Sequence, residues 1–290
     1  MTNGEMKLNP QGVSYQVGDG VNLVGDAWGA SDAAPVLLLH GGGQTRHAWG
    51  GTARALAEQG WYAVSLDLRG HGDSSWSPDG NYQIDTFVMD LHNVLTNFKQ
   101  RPVLVGASLG GMTALLTEGE ASQPVSSAVV LVDITPRVEQ AGVDRIRAFM
   151  TARPEGFASL EEVADTIAEY IPHRPRPKDL SGLQKNLRLG TDGRYRWHWD
   201  PQLIGPDRLG RRRDPERLVA AARALRVPTL LVRGRISDVV SDETTREFLE
   251  AVSHAKYVDV AGAGHMVAGD RNDAFSKAVI EFLTEVKSLL

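Results

Sequence analysis

Short apolar runs recur along this 290-residue chain, and none of them alternates cleanly with polar positions. A strand whose side chains are apolar at consecutive positions is buried on both faces, as strands in a helix-covered parallel sheet are. On this basis the sequence predicts buried strands at Val36–Leu39, Tyr62–Leu68, Pro102–Val105, Ala128–Ile134, Thr229–Val232 and Tyr257–Val260.

Between most of these runs, apolar residues recur at the spacing of one helical face. Helices are predicted over residues 47–59, 84–98 and 271–289. Strands that alternate with helices indicate an α/β fold, with a mostly parallel, doubly wound sheet covered by helices on both faces. Ahead of it, Val13–Val17 and Val21–Trp28 flank the turn Gly18–Gly20, which predicts an N-terminal antiparallel hairpin.

The strand pattern stops at Ile134 and resumes at Thr229, an interval too long for a simple crossover connection. Helical patterns occur within it near residues 143–152, 159–171 and 180–189. We therefore predict a helical cap at residues 135–213, inserted into an α/β core formed by residues 1–134 and 214–290.

Composition narrows the class of protein. With 31 Lys and Arg against 36 Asp and Glu, the net charge of −5 gives no electrostatic footprint for nucleic acid. The basic cluster Arg211–Arg213 lies between Asp207 and Asp214 and is interpreted as a solvated surface or the start of a helix. The lack of cysteine excludes disulfides, Cys-ligated zinc and thiol catalysis. Because no signal peptide or long apolar run is visible, we expect a cytoplasmic protein with no membrane span.

The segment Gly106-Ala-Ser108-Leu-Gly110 follows one predicted strand and precedes the apolar run Met112–Leu116. A G-x-S-x-G motif between strand and helix holds its serine on a tight, strained turn, with the hydroxyl exposed at the top of the sheet. The N-terminus of the following helix favours negative charge at that point. Ser108 is therefore the candidate nucleophile.

A second glycine-rich loop, His40-Gly-Gly-Gly43, follows another predicted strand. Glycines there let the backbone approach a ligand closely, and a tetrahedral intermediate needs N–H donors aimed at its oxyanion. The N–H groups of Gly42 and Leu109 are the predicted oxyanion hole, with Gly43 as the alternative to Gly42.

His265 lies just past the last predicted strand and is the candidate general base. A carboxylate must orient its imidazole, and two residues at strand ends qualify, Asp238 and Asp133. We predict a triad of Ser108, Asp238 and His265, in the Ser…Asp…His order expected for a hydrolase whose serine lies on a turn between strand and helix. Asp133 is the rival for the carboxylate role or, alternatively, lines the substrate pocket.

With these motifs, and with Asp67-Leu-Arg-Gly-His-Gly-Asp-Ser74, the chain outside the predicted cap resembles the α/β-hydrolase superfamily in its single-cap branch. The resemblance implies that Asp67 and Arg69 brace loops near the active site and are not catalytic. It groups this chain with carboxylesterases, cofactor-free haloperoxidases, carbon–carbon bond hydrolases and lactonases. Epoxide hydrolases and dehalogenases are disfavoured, because they use an Asp nucleophile where this chain has Ser108.

The expected activity is that of a serine hydrolase, which cleaves a small-to-medium, largely apolar ester, thioester or lactone without a cofactor or metal. A perhydrolase or carbon–carbon hydrolase with the same triad, and a slow-turnover ligand receptor, are the alternatives. The partner is a small-molecule substrate, and the oligomeric state stays open. Trp197 and Trp199 are predicted to wall the substrate pocket; packing of cap against core is the competing interpretation.

Overall fold

An eight-stranded sheet forms the centre of the computed structural model, which describes residues 9–204, 214–266 and 272–288. The strands are β1 (Gln11–Gln16), β2 (Asn22–Trp28), β3 (Pro35–Leu39), β4 (Tyr62–Leu66), β5 (Val103–Ala107), β6 (Ala128–Val132), β7 (Leu187–Leu189), β8 (Tyr195–Trp197), β9 (Thr229–Gly234) and β10 (Lys256–Val260). The sheet has the order β1-β2-β4-β3-β5-β6-β9-β10, while β7 and β8 form a separate hairpin. The β1–β2 and β2–β4 pairs are antiparallel and the other pairs of the sheet are parallel, so the predicted α/β class and N-terminal hairpin are confirmed.

Helices cover both faces of this sheet. They are α1 (Gly50–Glu58), α2 (Ile84–Leu95), α3 (Leu109–Gly119), α4 (Gln140–Thr151), α5 (Leu160–Tyr170), α6 (Pro215–Ala224), α7 (Asp242–Ala251) and α8 (Asn272–Lys287). The continuous apolar run of β3 follows from this arrangement, because Leu37 and Leu39 pack into the core under α2, α3 and α6, whereas Val36 and Leu38 pack into the core under α1 and α8.

The segment between β6 and β9 contains α4, α5 and the β7–β8 hairpin, and we call residues 135–204 of this segment the insert. Phe157, Val163 and Leu187 form a small hydrophobic cluster of its own there. The predicted helix at 180–189 is wrong, because Ser181–Asn186 is a short 3₁₀ turn that leads directly into β7. The Arg211–Arg213 cluster and the predicted end of the cap at residue 213 lie outside the described residues.

The parallel strands β3, β5, β6 and β9 lie side by side in the sheet. Their carboxyl ends therefore meet at one edge, where loops that follow different strands come together. At this edge, His40 directly follows β3, Ser108 directly follows β5 and Asp133 directly follows β6. The topology thus gathers the candidate chemistry from distant parts of the chain.

Candidate active site

Ser108 lies between β5 and α3 in a strained backbone conformation, with φ 46° and ψ −110°. Two glycines make this turn possible. A Cβ atom on Gly106 would lie 2.4 Å from the Gly110 carbonyl oxygen, and one on Gly110 would lie 2.4 Å from the Leu39 carbonyl oxygen. Strain of this kind persists only where the surroundings enforce it, and it clusters at functional sites. The turn has the strand–turn–helix context that the G-x-S-x-G motif requires.

The imidazole of His265 is held by Asp133, which accepts a hydrogen bond from Nδ1 on Oδ2 at 2.7 Å. Asp133 is fully buried and has a positive φ of 47°, which turns it away from the direction of β6. Its carboxylate also accepts hydrogen bonds from the Gly234 N–H at 2.9 Å and the Ser237 hydroxyl at 2.5 Å. A carboxylate that accepts several hydrogen bonds is fixed in position. It is therefore suited to orient an imidazole.

Asp238, which the sequence analysis placed in this role, is paired with a different residue. Its side chain is 39% exposed and pairs with Arg145 at 2.9 Å. No hydrogen bond joins it to His265 among the described residues. The carboxylate that accepts a hydrogen bond from His265 is thus that of Asp133, and the predicted preference for Asp238 is corrected. The expectation that Asp133 lines the substrate pocket is also wrong, because it lies behind the imidazole and is absent from the cavity wall.

Gly42 and Leu109, whose N–H groups are the predicted oxyanion donors, line the same cavity as Ser108. The Gly43 N–H is already committed, since it donates to His71 Nε2 at 3.1 Å. Across the described chain, by contrast, the N–H groups of Gly42 and Leu109 have no protein acceptor. Geometry therefore favours Gly42 over Gly43 as the partner of Leu109. The described residues show no direct hydrogen bond between the Ser108 hydroxyl and an imidazole, and such bonds often tighten only when substrate is bound.

Two buried histidines hold the glycine loop on both sides of Gly43. His71 accepts the Gly43 N–H, while His198 Nε2 donates to the Gly43 carbonyl at 3.3 Å. His198 belongs to the segment after β8, and its Nδ1 accepts the Gly72 N–H at 2.7 Å. His198 therefore ties the insert to two loops of the core. Sequence reasoning missed this residue, although its place between Trp197 and Trp199 predicts that it faces away from them.

A third buried histidine, His40, fixes the start of the same loop. Its Nε2 accepts the Leu68 N–H at 2.9 Å and its Nδ1 donates to the Gly41 carbonyl at 2.8 Å. A ring that accepts at one nitrogen and donates at the other is neutral. Burial lowers the pKa of His40, and burial with the nearby His40 lowers the pKa of His198 to about 3. Both rings are therefore neutral hydrogen-bonding groups at neutral pH.

Asp67 and Arg69 make the loop contacts that the family resemblance implied. Asp67 is fully buried and accepts the backbone N–H groups of Arg46 at 2.7 Å and Asp73 at 2.9 Å. Arg69 makes a buried two-pronged ion pair with Asp90 of α2, at 2.8 and 2.7 Å. Neither residue lines the cavity beside Ser108.

Ser108 and His265 line a cavity of about 160 Å³ whose wall is mostly apolar. We call it the catalytic cavity; its wall includes Met112, Val143, Ile146, Phe149, Met150, Leu203, Ile204 and Val239. A larger cavity of about 470 Å³ adjoins it and shares Gly43, Phe149 and Tyr170 with it.

Trp197 and Trp199 line this adjoining cavity, not the catalytic one. Their rings are stacked, with centroids 5.0 Å apart and planes 13° apart, so the two tryptophans do lie on one side of the chain. Trp197 also packs against Phe149 and Phe157 of the insert. The pair therefore both packs and lines a cavity, and the two interpretations of these residues are compatible.

Within residues 9–204, 214–266 and 272–288, no group of three His, Asp or Glu side chains is placed to bind a metal ion. None of the helices there combines the length and the apolar character needed to cross a membrane.

Comparisons with known proteins agree with this architecture. A model of the alpha/beta hydrolase family matches residues 36–278. The esterase Rv0045c of Mycobacterium tuberculosis is 33% identical over 264 residues, which cover 87% of this chain and 83% of that protein. The 3-hydroxybutyrate-oligomer hydrolase of Cupriavidus necator is 30% identical over 256 residues, 82% and 85% of the two chains. Among solved structures, E-2-(acetamidomethylene)succinate hydrolase shares the fold with a TM-score of 0.84 at 23% identity, covering 95% of this chain and all of that one. The chain belongs to the alpha/beta hydrolase family.

Proposed function

We propose that this protein is a serine hydrolase that cleaves carboxylic esters through an acyl-enzyme on Ser108. The observation that carries the proposal is the hydrogen bond between the buried Asp133 and His265, whose imidazole lies at the wall of the cavity that Ser108 also lines. A strained serine, an imidazole fixed by a carboxylate and two unused N–H groups are the parts that acyl transfer requires.

In the proposed reaction, the Ser108 hydroxyl attacks the ester carbonyl carbon and gives its proton to His265 Nε2. Asp133 holds the Nδ1–H tautomer and stabilises the imidazolium that forms. The N–H groups of Gly42 and Leu109 bind the oxyanion. The imidazolium then protonates the departing alcohol, and a water molecule activated by the same imidazole hydrolyses the acyl-enzyme.

Two further observations support an ester substrate. One relative, an esterase, is 33% identical over 87% of this chain, and a hydrolase of 3-hydroxybutyrate oligomers is 30% identical over 82% of it. The mostly apolar wall of the catalytic cavity favours a small or medium acyl group of low polarity next to the carbonyl. A thioester or lactone would meet the same attacking group and the same oxyanion donors.

The first experiment measures hydrolysis of p-nitrophenyl acetate, butyrate and octanoate by the native protein and by Ser108→Ala. We expect turnover by the native protein, and a loss of about 10³-fold or more in the variant, because the attacking oxygen is removed. Turnover that survives in Ser108→Ala would refute the acyl-enzyme. The chain-length profile measures the size of the acyl subsite.

The second experiment compares Asp133→Asn with Asp238→Asn, two isosteric changes at the rival carboxylates. Asp133→Asn should lower kcat by about 10⁴-fold, because the amide no longer favours the productive imidazole tautomer. Asp238→Asn should change kcat less than about threefold, because it removes only an exposed ion pair with Arg145. A larger loss in Asp238→Asn than in Asp133→Asn would overturn the proposed triad.

A further inference from the structure

We propose that Arg147 determines substrate specificity by binding a carboxylate carried by the ester, so that the preferred substrates are esters with an anionic group. The inference rests on the proposed function and names its substrate class. Arg147 lines the catalytic cavity together with Ser108 and His265.

The position of Arg147 on α4 explains why it faces this cavity. Val143, Ile146, Arg147 and Met150 all line the cavity wall, and their spacing of three and four residues places them on one face of the helix. The other members of this face are apolar. Arg147 thus interrupts an apolar stripe at a position that is half-buried.

Charge at this site is unbalanced. Among the described residues, Arg147 is the only Lys, Arg, Asp or Glu in the catalytic cavity wall, and its guanidinium has no ion pair. Neighbouring arginines differ in this respect, since Arg145 pairs with Asp238 at 2.9 Å and Arg153 pairs with Glu162 at 3.2 Å. A charge that is partly removed from water needs a partner. An anionic substrate supplies that partner.

The adjoining cavity adds positive charge and no negative charge. Arg174, Arg176 and Lys185 line it, and within the described chain no Asp or Glu does. Arg176 pairs with Asp165 outside the wall, so it is already neutralised in part. Charge of one sign along adjoining cavities attracts a substrate of the opposite sign and disfavours cationic esters.

The chemistry of the wall favours a carboxylate over a phosphate. A guanidinium presents a planar fork that matches two carboxylate oxygens. A dianionic phosphate requires several donors, whereas the remaining wall of the catalytic cavity is mostly apolar. A single arginine in apolar surroundings is therefore suited to a monoanion, such as the free carboxylate of a dicarboxylic acid monoester.

The test uses matched pairs of esters that differ only in this charge. The first pair is mono-p-nitrophenyl glutarate and its neutral methyl ester, with the anion on the acyl side. The second pair is 4-acetoxybutyrate and its methyl ester, with the anion on the alcohol side. We expect kcat/KM to favour the anionic member of at least one pair by tenfold or more, mainly through KM.

The variants Arg147→Met, Arg147→Lys and Arg153→Met complete the design. Arg147→Met should bring the anionic-to-neutral ratio close to one, and Arg147→Lys should keep part of the preference, because its charge remains without the fork. Arg153→Met is the matched control: its arginine lies just beyond α4 and lines neither cavity, so the ratio should not change. A preference for the neutral ester in both pairs, or a preference that survives Arg147→Met, would overturn the inference.

A binding measurement separates this inference from the proposed function. Calorimetric titration of glutarate into the native protein should show binding that Arg147→Met weakens by tenfold or more, whether or not any ester is cleaved. Equal binding by the two proteins would refute the carboxylate site. Inorganic phosphate serves as the competing anion, and phosphate that binds as tightly as glutarate would overturn the choice of carboxylate.

Discussion

Acidification should destabilise this protein through His198, the buried histidine that joins the insert to the glycine loop. Its Nδ1 accepts the Gly72 N–H at 2.7 Å, a bond that a protonated ring cannot accept. Burial is the main cause of its low pKa, and the nearby His40 and Arg188 act in the same direction, whereas the hydrogen bond to the Gly43 carbonyl and the charge of Asp67 oppose them. Folding therefore favours the neutral ring.

The magnitude follows from linkage. The pKa of His198 falls from 6.5 in an unfolded chain to about 3 in the folded protein, so below pH 6.5 the unfolded state binds one more proton. The contribution is fully present above pH 6.5 and declines by about 1.36 kcal/mol for each pH unit until the folded pKa is reached. Between pH 7.5 and pH 5.0, His198 alone should lower the free energy of unfolding by about 2 kcal/mol.

The assay is urea unfolding followed by tryptophan fluorescence at pH 7.5 and 5.0, for the native protein and for His198→Gln. Glutamine keeps one donor and one acceptor but does not titrate. The variant should therefore lose about 2 kcal/mol less than the native protein over this interval. Contributions from other titrating groups, including His40, largely cancel in the difference between the two proteins.

A matched replacement distinguishes this effect from a general loss of histidine. His92 is exposed on α2, so His92→Gln should leave the native pH dependence unchanged. The reasoning is refuted if the native protein and His198→Gln lose the same free energy between the two pH values. It is equally refuted if His92→Gln reproduces the change.

Three further outcomes follow from the contacts. Gly110→Ala should prevent the chain from folding or from forming the turn at Ser108, because the added Cβ would lie 2.4 Å from a backbone carbonyl oxygen of β3. Near-native esterase activity in a soluble variant would contradict this expectation. Arg69→Met should lower the free energy of unfolding by about 3–5 kcal/mol, since it leaves the Asp90 carboxylate buried and unpaired, and urea unfolding at pH 7 measures it. Ser237→Ala should lower kcat about tenfold with little change in KM, because one donor to Asp133 is lost; an unchanged kcat would show that the remaining contacts suffice.

Much of the architecture was present in the sequence by itself. The run Val36–Leu39 is apolar at every position. Such a strand must be buried on both faces, which occurs in the middle of a sheet that helices cover on both sides. The turn at Ser108 was equally readable, because Gly106 and Gly110 are sterically required where this strand turns sharply into a helix. These are local constraints, which a short stretch of sequence expresses completely.

The β7–β8 hairpin shows where local pattern fails. Residues 180–189 have the polarity of a helical face, yet Leu187–Leu189 pairs with Tyr195–Trp197 as a strand. Strand pairing depends on a partner elsewhere in the chain, and context outweighs weak propensity in such short elements. Arg147 was missed for a related reason, since an arginine within a helix gains significance only from the cavity that its face lines.

The choice between Asp133 and Asp238 belonged to the tertiary structure alone. Both residues follow parallel strands, and both keep the order Ser…Asp…His along the chain. What separates them is side-chain direction: a positive φ and three hydrogen bonds aim Asp133 at His265, whereas Arg145 holds Asp238 at the surface. Those contacts join residues about a hundred positions apart, and the burial and charge that decide them exist only once the chain is folded.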